Sequence, residues 1–412
     1  MKHNVLAIAA LALAAALTAC NSKQDNITDR VELPGTVDNE AFADCIESID
    51  VMNLQMDNSW LFEDGLTFGL SDNCMYMLGG MQQINLICLD RHTGEKLAGR
   101  TINGNGPGEI RYLNSAFCIG DTLCVLDNDC VIRQYDSNGR FLGKMHEFGE
   151  SEPILDMFRL PNGDYALIYL DTHIPDSIPG KVALTDKSFN VKARHFDLPR
   201  VTLFFLIGGL GNPYCVNGNT IRFLFYGHLD NHLYTLCGDT EQCTELVLPN
   251  PQTAERFIEI ANEMKQKHDG SAMNKLFELD GFFGNLCESG RFVGLGYQKS
   301  NQKYFSLIDK HTNIAISAFS EEEQQGSLMH SLYWIFNNMQ VLHSDGEYIY
   351  TMCKNRDLAA LLEGHDDELN NYLQKTQTEY RAYLERNAEY MKDLEPEERD
   401  AANVILKIKL KD

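Results

Sequence analysis

Three glycines within six residues make Gly104-Asn105-Gly106-Pro107-Gly108-Glu109 the segment that most resembles a ligand-binding loop. Glycine loops bind phosphate where they join a strand to the N-terminus of a helix, because the backbone amides then point at the anion. Here Pro107-Gly108 favours a type II turn, and a β-rich run from Phe117 follows instead of a helix. We therefore expect no nucleotide site, and a plain connection between two repeats is the simpler interpretation. Four polar residues in and beside the segment remain candidates for a binding loop: Arg100, Asn105, Glu109 and Arg111.

Two further clusters carry side chains of the kind that bind metal ions. Asp127-Asn128-Asp129 places oxygen ligands close together, but the glycine and distal glutamate of an EF-hand do not follow at the required spacing. A hairpin turn explains the same three residues. His228, Asp230 and His232 could gather at a tight turn, yet the sequence nominates no fourth ligand and ordinary turn polarity accounts for them. The sequence therefore predicts no metal site and no cofactor.

The first twenty residues have the three parts of a secretory signal. Lys2 and His3 form a short basic start, residues 5–17 are an apolar run rich in Ala and Leu, and small residues precede Cys20. An apolar core of ~7–15 residues suits a signal peptide, whereas a membrane span needs ~20. The tetrad Leu17-Thr18-Ala19-Cys20 resembles the bacterial lipobox. That resemblance implies a diacylglycerol on the Cys20 sulfur, cleavage after Ala19 and acylation of the new N-terminus.

Three segments follow from this interpretation of the N-terminus. We predict a signal peptide over residues 1–19, a lipidated flexible tether over 20–43 and the folded domain over 44–412, because residues 21–40 are polar and lack an apolar period. Several acyl chains, at ~0.8 kcal/mol per buried methylene, hold a protein far more firmly than one reversible chain. The alternative is a soluble secreted protein in which Cys20 is incidental.

The remaining cysteines look like core residues rather than a disulfide framework. With Cys20 set aside, eleven of the twelve remain, and an odd number cannot all pair within one molecule. Many lie in apolar strand-like runs, where a free cysteine behaves as a small buried hydrophobe. One pair, Cys237 and Cys243, flanks the turn Gly238-Asp239-Thr240 and is a candidate disulfide across a hairpin.

A turn–strand unit recurs from about Cys45 onward. Each copy has a turn of Asp, Asn or Gly, a β-rich run, a second turn and, in most copies, another β-rich run. Most copies begin roughly 40–55 residues apart, the spacing of four-stranded propeller blades. The six copies begin at Ser71, Gly120, Pro161, Asn217, Glu288 and Ser344. We therefore predict an all-β fold, a six-bladed β-propeller.

Two helical insertions and a closure between the chain ends complete this prediction. Asn250-Pro251 opens the first insertion, at about 250–280, as an N-cap followed by proline at the first helical position. The second, at about 356–400, keeps helical spacing among Glu, Arg and Lys. The strand at 404–410 is predicted to complete a blade begun near Ile46–Val51, which would pair otherwise open edges.

The chain resembles the six-bladed β-propeller lipoproteins of Bacteroidetes, a TolB-like or NHL-like group without an assigned activity. Three features carry the resemblance: the lipobox at Cys20, the segment 104–109 and the ending at 403–411, where Val404 replaces a proline common in the family. The resemblance covers roughly residues 45–412. It implies fold and location and adds no catalytic residues.

These observations favour a binding or interaction platform, associated with the outer membrane, over an enzyme. We expect an unknown envelope protein or a glycan as ligand; a net charge of -24 argues against nucleic acid. No Gly-x-Ser-x-Gly or His-Glu-x-x-His motif is present. The alternative is a propeller hydrolase or lyase acting on polysaccharide or peptide, which two carboxylates ~5–9.5 Å apart in a cleft would favour. The helix at 366–391 is either a second contact surface or packs against the propeller.

Overall fold

The repeated turn–strand unit folds into six sheets, each one blade of a β-propeller. The computed structural model describes residues 27–33, 38–56, 67–79, 84–149, 154–169, 180–197, 213–224, 231–248, 280–299, 302–318, 332, 335–336, 339–362 and 371–412. The fold predicted from the sequence, an all-β propeller of six blades, is confirmed within these ranges.

The blades are numbered in chain order. Blade 1 contains β3 (Thr67–Leu70), β4 (Cys74–Gly79), β5 (Asn85–Asp90) and β6 (Lys96–Thr101). Blade 2 contains β7 (Leu113–Ile119), β8 (Thr122–Asp127), β9 (Val131–Tyr135) and β10 (Phe141–Glu147). Blade 3 contains β11 (Ile154–Arg159), β12 (Tyr165–Tyr169), β13 (Val182–Thr185) and β14 (Val191–His195).

The second half of the ring also draws on the N-terminal strands. Blade 4 contains β15 (Tyr214–Asn217), β16 (Thr220–Phe223), β17 (His232–Cys237) and β18 (Thr240–Val247), with β1 (Ile27–Glu32) added to β18. Blade 5 contains β19 (Gly281–Ser289), β20 (Phe292–Lys299), β21 (Gln302–Asp309) and β22 (Ala315–Ala318). Blade 6 contains β23 (Gln340–Ser344), β24 (Tyr348–Lys354), β25 (Asn403–Leu410) and β2 (Ile46–Val51).

The apolar runs of the sequence become the middle strands of the blades. All six residues of β4 are buried, because both faces of a blade pack against its neighbours. The outer strand β6 instead contains no buried residue. The hydrophobic clusters accordingly lie between blades; one joins blades 1 and 2, and another joins blades 3 and 4.

A recurring aspartate shapes the turn between the third and fourth strands of several blades. In blade 1, Asp90 Oδ1 accepts from the amides of His92 (2.9 Å) and Thr93 (2.7 Å). Asp136 and Asp186 accept from amides two and four residues later in the corresponding turns of blades 2 and 3. Aspartate suits this position because its short carboxylate replaces a backbone acceptor.

The two ends of the folded chain close the ring within blade 6, as predicted. β2 pairs antiparallel with β25, with Ile46 opposite Leu410 and Val51 opposite Leu406. The N-terminal strand therefore supplies the outer strand of a blade whose other strands come from the C-terminal part of the chain. Such pairing removes an open edge between the chain ends.

The described residues between β24 and β25, 355–362 and 371–402, form four helices in the segment predicted as the second insertion: α2 (Asn355–Leu362), α3 (Asn371–Arg386), α4 (Ala388–Lys392) and α5 (Pro396–Ala401). α3 buries Leu373, Tyr380 and Tyr383 and packs on β2. Glu379 Oε2 accepts from the Val51 amide at 2.8 Å, so the helix also covers the outer edge of blade 6. The helix thus packs against the propeller. Apart from its last residue, 280, the predicted insertion at 250–280 lies outside the described residues.

The predicted flexible tether at 20–43 needs correction. Its residues 27–32 form β1, parallel to β18, and α1 (Asn39–Asp44) begins near its end with Asp38 as the N-cap. Val31 and Leu33 are buried, and the Leu33 amide donates to Val247 O at 3.1 Å. β1 contains too few apolar residues to show a strand period in the sequence. It forms a strand because it pairs with the edge of β18. Cys20 lies outside the described residues.

No helix in the described ranges is long and apolar enough to cross a membrane.

Candidate functional site

The first strands of five blades line a cavity of about 520 Å³ at the centre of the propeller: β3, β7, β11, β15 and β23. Central strands of a propeller lie side by side around its axis, so residues far apart in sequence meet there. Concave sites with a few convergent polar groups are where small ligands bind, so this cavity is the candidate site.

A hydrogen-bonded pair lies on the cavity wall where β7 meets β11: Ser115 is buried, whereas Asp156 is half-buried. Ser115 Oγ donates to Asp156 Oδ1, and the Met157 amide donates to the same oxygen at 2.7 Å. No described residue donates to the second carboxylate oxygen. Burial raises the pKa of Asp156 to about 7, although both hydrogen bonds act to lower it. The carboxyl group can therefore donate or accept a proton near neutral pH.

His343 of β23 lines the same cavity as a neutral imidazole. Its ring lies 6.2 Å from the Phe68 ring and 5.9 Å from the Tyr350 ring, centroid to centroid. Burial lowers the pKa of His343, and the nearby Arg91 guanidinium acts in the same direction, whereas Asp345 opposes them. An uncharged imidazole offers one donor and one acceptor to a ligand.

The other carboxylate of the described lining, Asp345, has a structural role. Its Oδ1 accepts from the amides of Glu347 (3.1 Å) and Tyr348 (2.8 Å), which closes the turn between β23 and β24. Its Oδ2 accepts from Tyr350 OH at 3.5 Å. Asp345 and Asp156 are therefore not an equivalent pair of catalytic carboxylates: the turn uses Oδ1 of Asp345, and the Tyr350 hydroxyl contacts Oδ2.

Aromatic and amide side chains complete a mixed lining. Phe158 and Tyr214 meet edge to face, with ring centroids 5.9 Å apart, and Phe68 contributes a further ring. Asn114, whose Nδ2 donates to Ile154 O at 2.9 Å, and Gln340 add amides. The cavity thus combines apolar ring surface with several neutral donors and acceptors.

The four candidate binding-loop residues lie outside the cavity lining: Arg100 is on β6, and the other three are in the connection between blades 1 and 2. Glu109 Oε2 accepts from the Gly106 amide at 2.8 Å, and Arg100 Nη1 donates to Gly139 O at 3.0 Å. Arg111 Nε donates to Asn105 Oδ1. These contacts hold the loop against itself and against blade 2. Ligand binding by this loop stays a prediction, because none of the four residues lines the central cavity.

The acidic cluster at 127–129 forms a turn, the simpler of its two interpretations. Asp127 Oδ1 accepts from the amides of Asp129 (3.0 Å) and Val131 (2.9 Å), and its carboxylate forms a buried ion pair with Arg133. Within the described ranges, no group of three or more His, Cys, Asp or Glu side chains could hold a metal ion. Of the histidine cluster, His228 and Asp230 lie outside the described residues.

The predicted disulfide between Cys237 and Cys243 is absent, since neither cysteine is in a disulfide. The register places Cys237 opposite Thr240 and Cys243 opposite Tyr234. Tyr234 and Cys237 are three residues apart, roughly 10 Å along the strand and on opposite faces. The two sulfurs are therefore too far apart to bond, and Cys237 is exposed whereas Cys243 is buried. None of the eleven cysteines after Cys20, all of which lie in the described ranges, is in a disulfide.

Comparison with known proteins agrees with this architecture. The profile of the DUF5128 family, described as a 6-bladed beta-propeller, matches residues 19–351. The chain belongs to this family. Membership of the DUF5128 family agrees with the resemblance to six-bladed propeller proteins of Bacteroidetes that the sequence showed.

Two solved structures are similar to this DUF5128 protein, and the first of them shares its fold. A Bacteroides fragilis protein described as exported is 16% identical with a TM-score of 0.61, covering 94% of this chain and 100% of that one. A DUF4221-family protein from Bacteroides vulgatus is 10% identical with a TM-score of 0.46, covering 89% of this chain and 99% of that one. None of the curated proteins matches the sequence.

The cavity residues of this DUF5128 protein were not predicted from its sequence. Ser115, Asp156 and His343 lie on the first strand of their blades, whereas the repeat was recognised from the more apolar second and third strands. A polar residue inside a short first strand is the available signal. It becomes informative only when the repeats are aligned as blades, since first strands then share the channel.

Proposed function

We propose that this protein is a lipid-anchored binding protein of the bacterial cell envelope whose central cavity holds a small, uncharged, hydroxyl-rich ligand, such as a mono- or disaccharide. The observation that carries the proposal is the mixed lining around Asp156. Sugar hydroxyls donate to carboxylates and accept from amides, while the C–H faces of a sugar pack on aromatic rings.

The volume and charge of the cavity support a small neutral ligand. A volume of about 520 Å³ lies within the range of small-molecule sites. Its described charged residues are Asp156, Asp345 and Arg159, with His343 neutral, so neither sign dominates. A strongly charged ligand would need a partner of opposite charge that this lining does not concentrate.

The envelope location rests on the N-terminal signal, the lipobox-like tetrad before Cys20 and the exported relative in Bacteroides fragilis. Outer-membrane attachment is part of the same proposal. Cys20→Ala should move the protein from the membrane fraction to the soluble envelope fraction. Retention of the variant on the membrane would show that Cys20 is not the anchor.

A hydrolase or lyase acting on polysaccharide or peptide is the second candidate. In its favour, a carboxyl group with a pKa near 7 suits a general acid. Against it, glycoside hydrolysis uses two carboxylates, and the other one in the described lining, Asp345, is bound by its own turn. Binding without turnover therefore fits the cavity better.

Calorimetric titration of the soluble Cys20→Ala form with a panel of mono- and disaccharides tests the proposal. Asp156→Ala and Ser115→Ala should each weaken binding about tenfold or more, the effect of losing one to three kcal/mol of hydrogen bonding. Asp72→Asn, an exposed residue of the neighbouring turn, is the matched control and should leave affinity unchanged. Release of products from any panel member would favour the hydrolase, and absence of binding to every sugar would refute the ligand class.

A further inference from the structure

Blade 4 carries a fifth strand that the other described blades lack. β1 runs parallel to β18, with Arg30 opposite Glu245 and Glu32 opposite Val247. Val31 and Leu33 enter the hydrophobic cluster between blades 4 and 5 and are at most 4% exposed. Burial of these two aliphatic side chains holds the strand to the propeller.

This strand shortens the path between Cys20 and the folded domain. Only residues 21–26 separate Cys20 from Ile27, where β1 begins. Seven Cα–Cα steps reach at most roughly 25 Å. A flexible tether extending to β2 would have allowed more than three times that distance, because Ile46 is 26 steps from Cys20.

We propose that the outer edge of blade 4, formed by β1 and β18, is the side of the propeller held next to the lipid surface, and that blade 1, opposite it in the ring, faces away. The inference rests on lipidation of Cys20, which is part of the proposed function. It adds the orientation of the propeller on its membrane: the short covalent path starts at one blade edge and cannot serve another.

The charge of this edge indicates that the lipid chain, and not adsorption, makes the attachment. β1 and residues 238–247 contain five acidic residues against one basic residue, Arg30, which gives a net charge of 1 − 5 = −4. The acidic residues are Asp29, Glu32, Asp239, Glu241 and Glu245. Anionic lipids repel such a surface within about 8 Å at physiological ionic strength. Binding of the lipidated protein to vesicles should therefore gain nothing from added anionic lipid.

Energy transfer from a single dye to acceptor lipids tests the orientation. Cys237, the exposed thiol at the end of β17 in blade 4, takes the dye in the lipidated full-length protein. In the comparison protein, Cys237→Ser is combined with Leu97→Cys on β6, the outer strand of blade 1, where Leu97 is 41% exposed. In phosphatidylcholine vesicles, transfer from position 237 should exceed transfer from position 97 severalfold. Equal or reversed transfer would overturn the proposed orientation.

Releasing β1 provides a second test. Val31→Asp places a carboxylate in a fully buried position, so β1 should detach, the tether should lengthen and transfer from position 237 should fall. Asp29→Asn, at an exposed position of the same strand, keeps the Arg30–Glu245 ion pair; it is the control and should leave transfer unchanged. If Val31→Asp folds by circular dichroism but keeps the wild-type transfer, β1 does not set the orientation. If it does not fold, the comparison of positions 237 and 97 decides alone.

Flotation of the same vesicles separates this inference from the proposed function. Wild-type protein that fails to float with vesicles refutes the lipid anchor and with it both proposals. Protein that floats through Cys20, yet shows the same transfer from both dye positions, refutes only the orientation.

Discussion

Replacing Asp156 by asparagine should remove a specific pH dependence from the stability of this propeller. The asparagine amide has the same shape, and its oxygen can still accept from Ser115 Oγ and from the Met157 amide. The substitution therefore removes the ionisable group while keeping its neighbours paired.

The magnitude follows from the raised pKa of Asp156. The pKa is about 7 in the folded protein and about 3.9 in an unfolded chain. Between these two values the folded state binds more protons than the unfolded state, so the free energy of unfolding falls as the pH rises. Its contribution is fully present below about pH 4 and is lost by about pH 7. At about 1.4 kcal/mol per pH unit the loss is at most ~4 kcal/mol, and water in the cavity reduces it.

Urea denaturation at pH 5, 6, 7 and 8 measures this difference. Asp156→Asn should be more stable than wild type by up to about 1.5 kcal/mol at pH 5 and by up to about 4 kcal/mol at pH 8, so that its advantage grows as the pH rises. Asp72→Asn at an exposed turn serves as the control and should follow wild type at every pH. A constant difference between Asp156→Asn and wild type from pH 5 to 8 would refute the raised pKa and the buried state of this carboxyl.

Three further predictions concern the ion pairs, the thiols and the closure of the ring. Glu288→Gln should destabilise the protein by about 3–5 kcal/mol in urea denaturation, because the buried carboxylate pairs with Arg222 and with Lys310 (2.6 Å). The control Glu147→Gln, at an exposed position, should lower stability by less than about 1 kcal/mol. Equal losses in the two variants would contradict a buried ion pair at Glu288. Ellman's reagent should react rapidly with one thiol of the native Cys20→Ala protein, and Cys237→Ser should abolish that reaction; a fast reaction that survives would place another thiol at the surface. Ile408→Asp on β25 should abolish two-state unfolding or lower stability by at least about 3 kcal/mol, since this side chain is fully buried beside β2. An unchanged urea midpoint would argue against closure of the ring by pairing of β2 with β25.

Several features of the fold were accessible to sequence reasoning because they depend on local patterns. The turns rich in Asp, Asn and Gly and the apolar runs after them gave the blades, since each run packs between neighbouring blades. The pairing of Ile46–Val51 with the C-terminal strand also followed from the sequence, because a ring of blades leaves two complementary edges. The helical spacing of its apolar residues predicted α3, but that spacing does not show which surface the helix packs on.

Other features depended on contacts that no local pattern records. β1 contains too few apolar residues to be recognised as a strand, and it forms only because the edge of β18 is open beside it. The Cys237–Cys243 pair looked plausible from its spacing, yet the two-residue turn at Gly238-Asp239 sets a register that separates the sulfurs. Register is a property of the paired strands together.

What the sequence alone determined is the repeating secondary structure and the six-bladed ring, because turn residues and apolar runs act over a few neighbouring positions. What only the tertiary structure decided is the candidate site. Ser115, Asp156 and His343 are dispersed over more than 200 residues and meet because the first strands of their blades surround one cavity. The same burial that brings them together raises the pKa of Asp156, and burial of this kind exists only once the ring has closed.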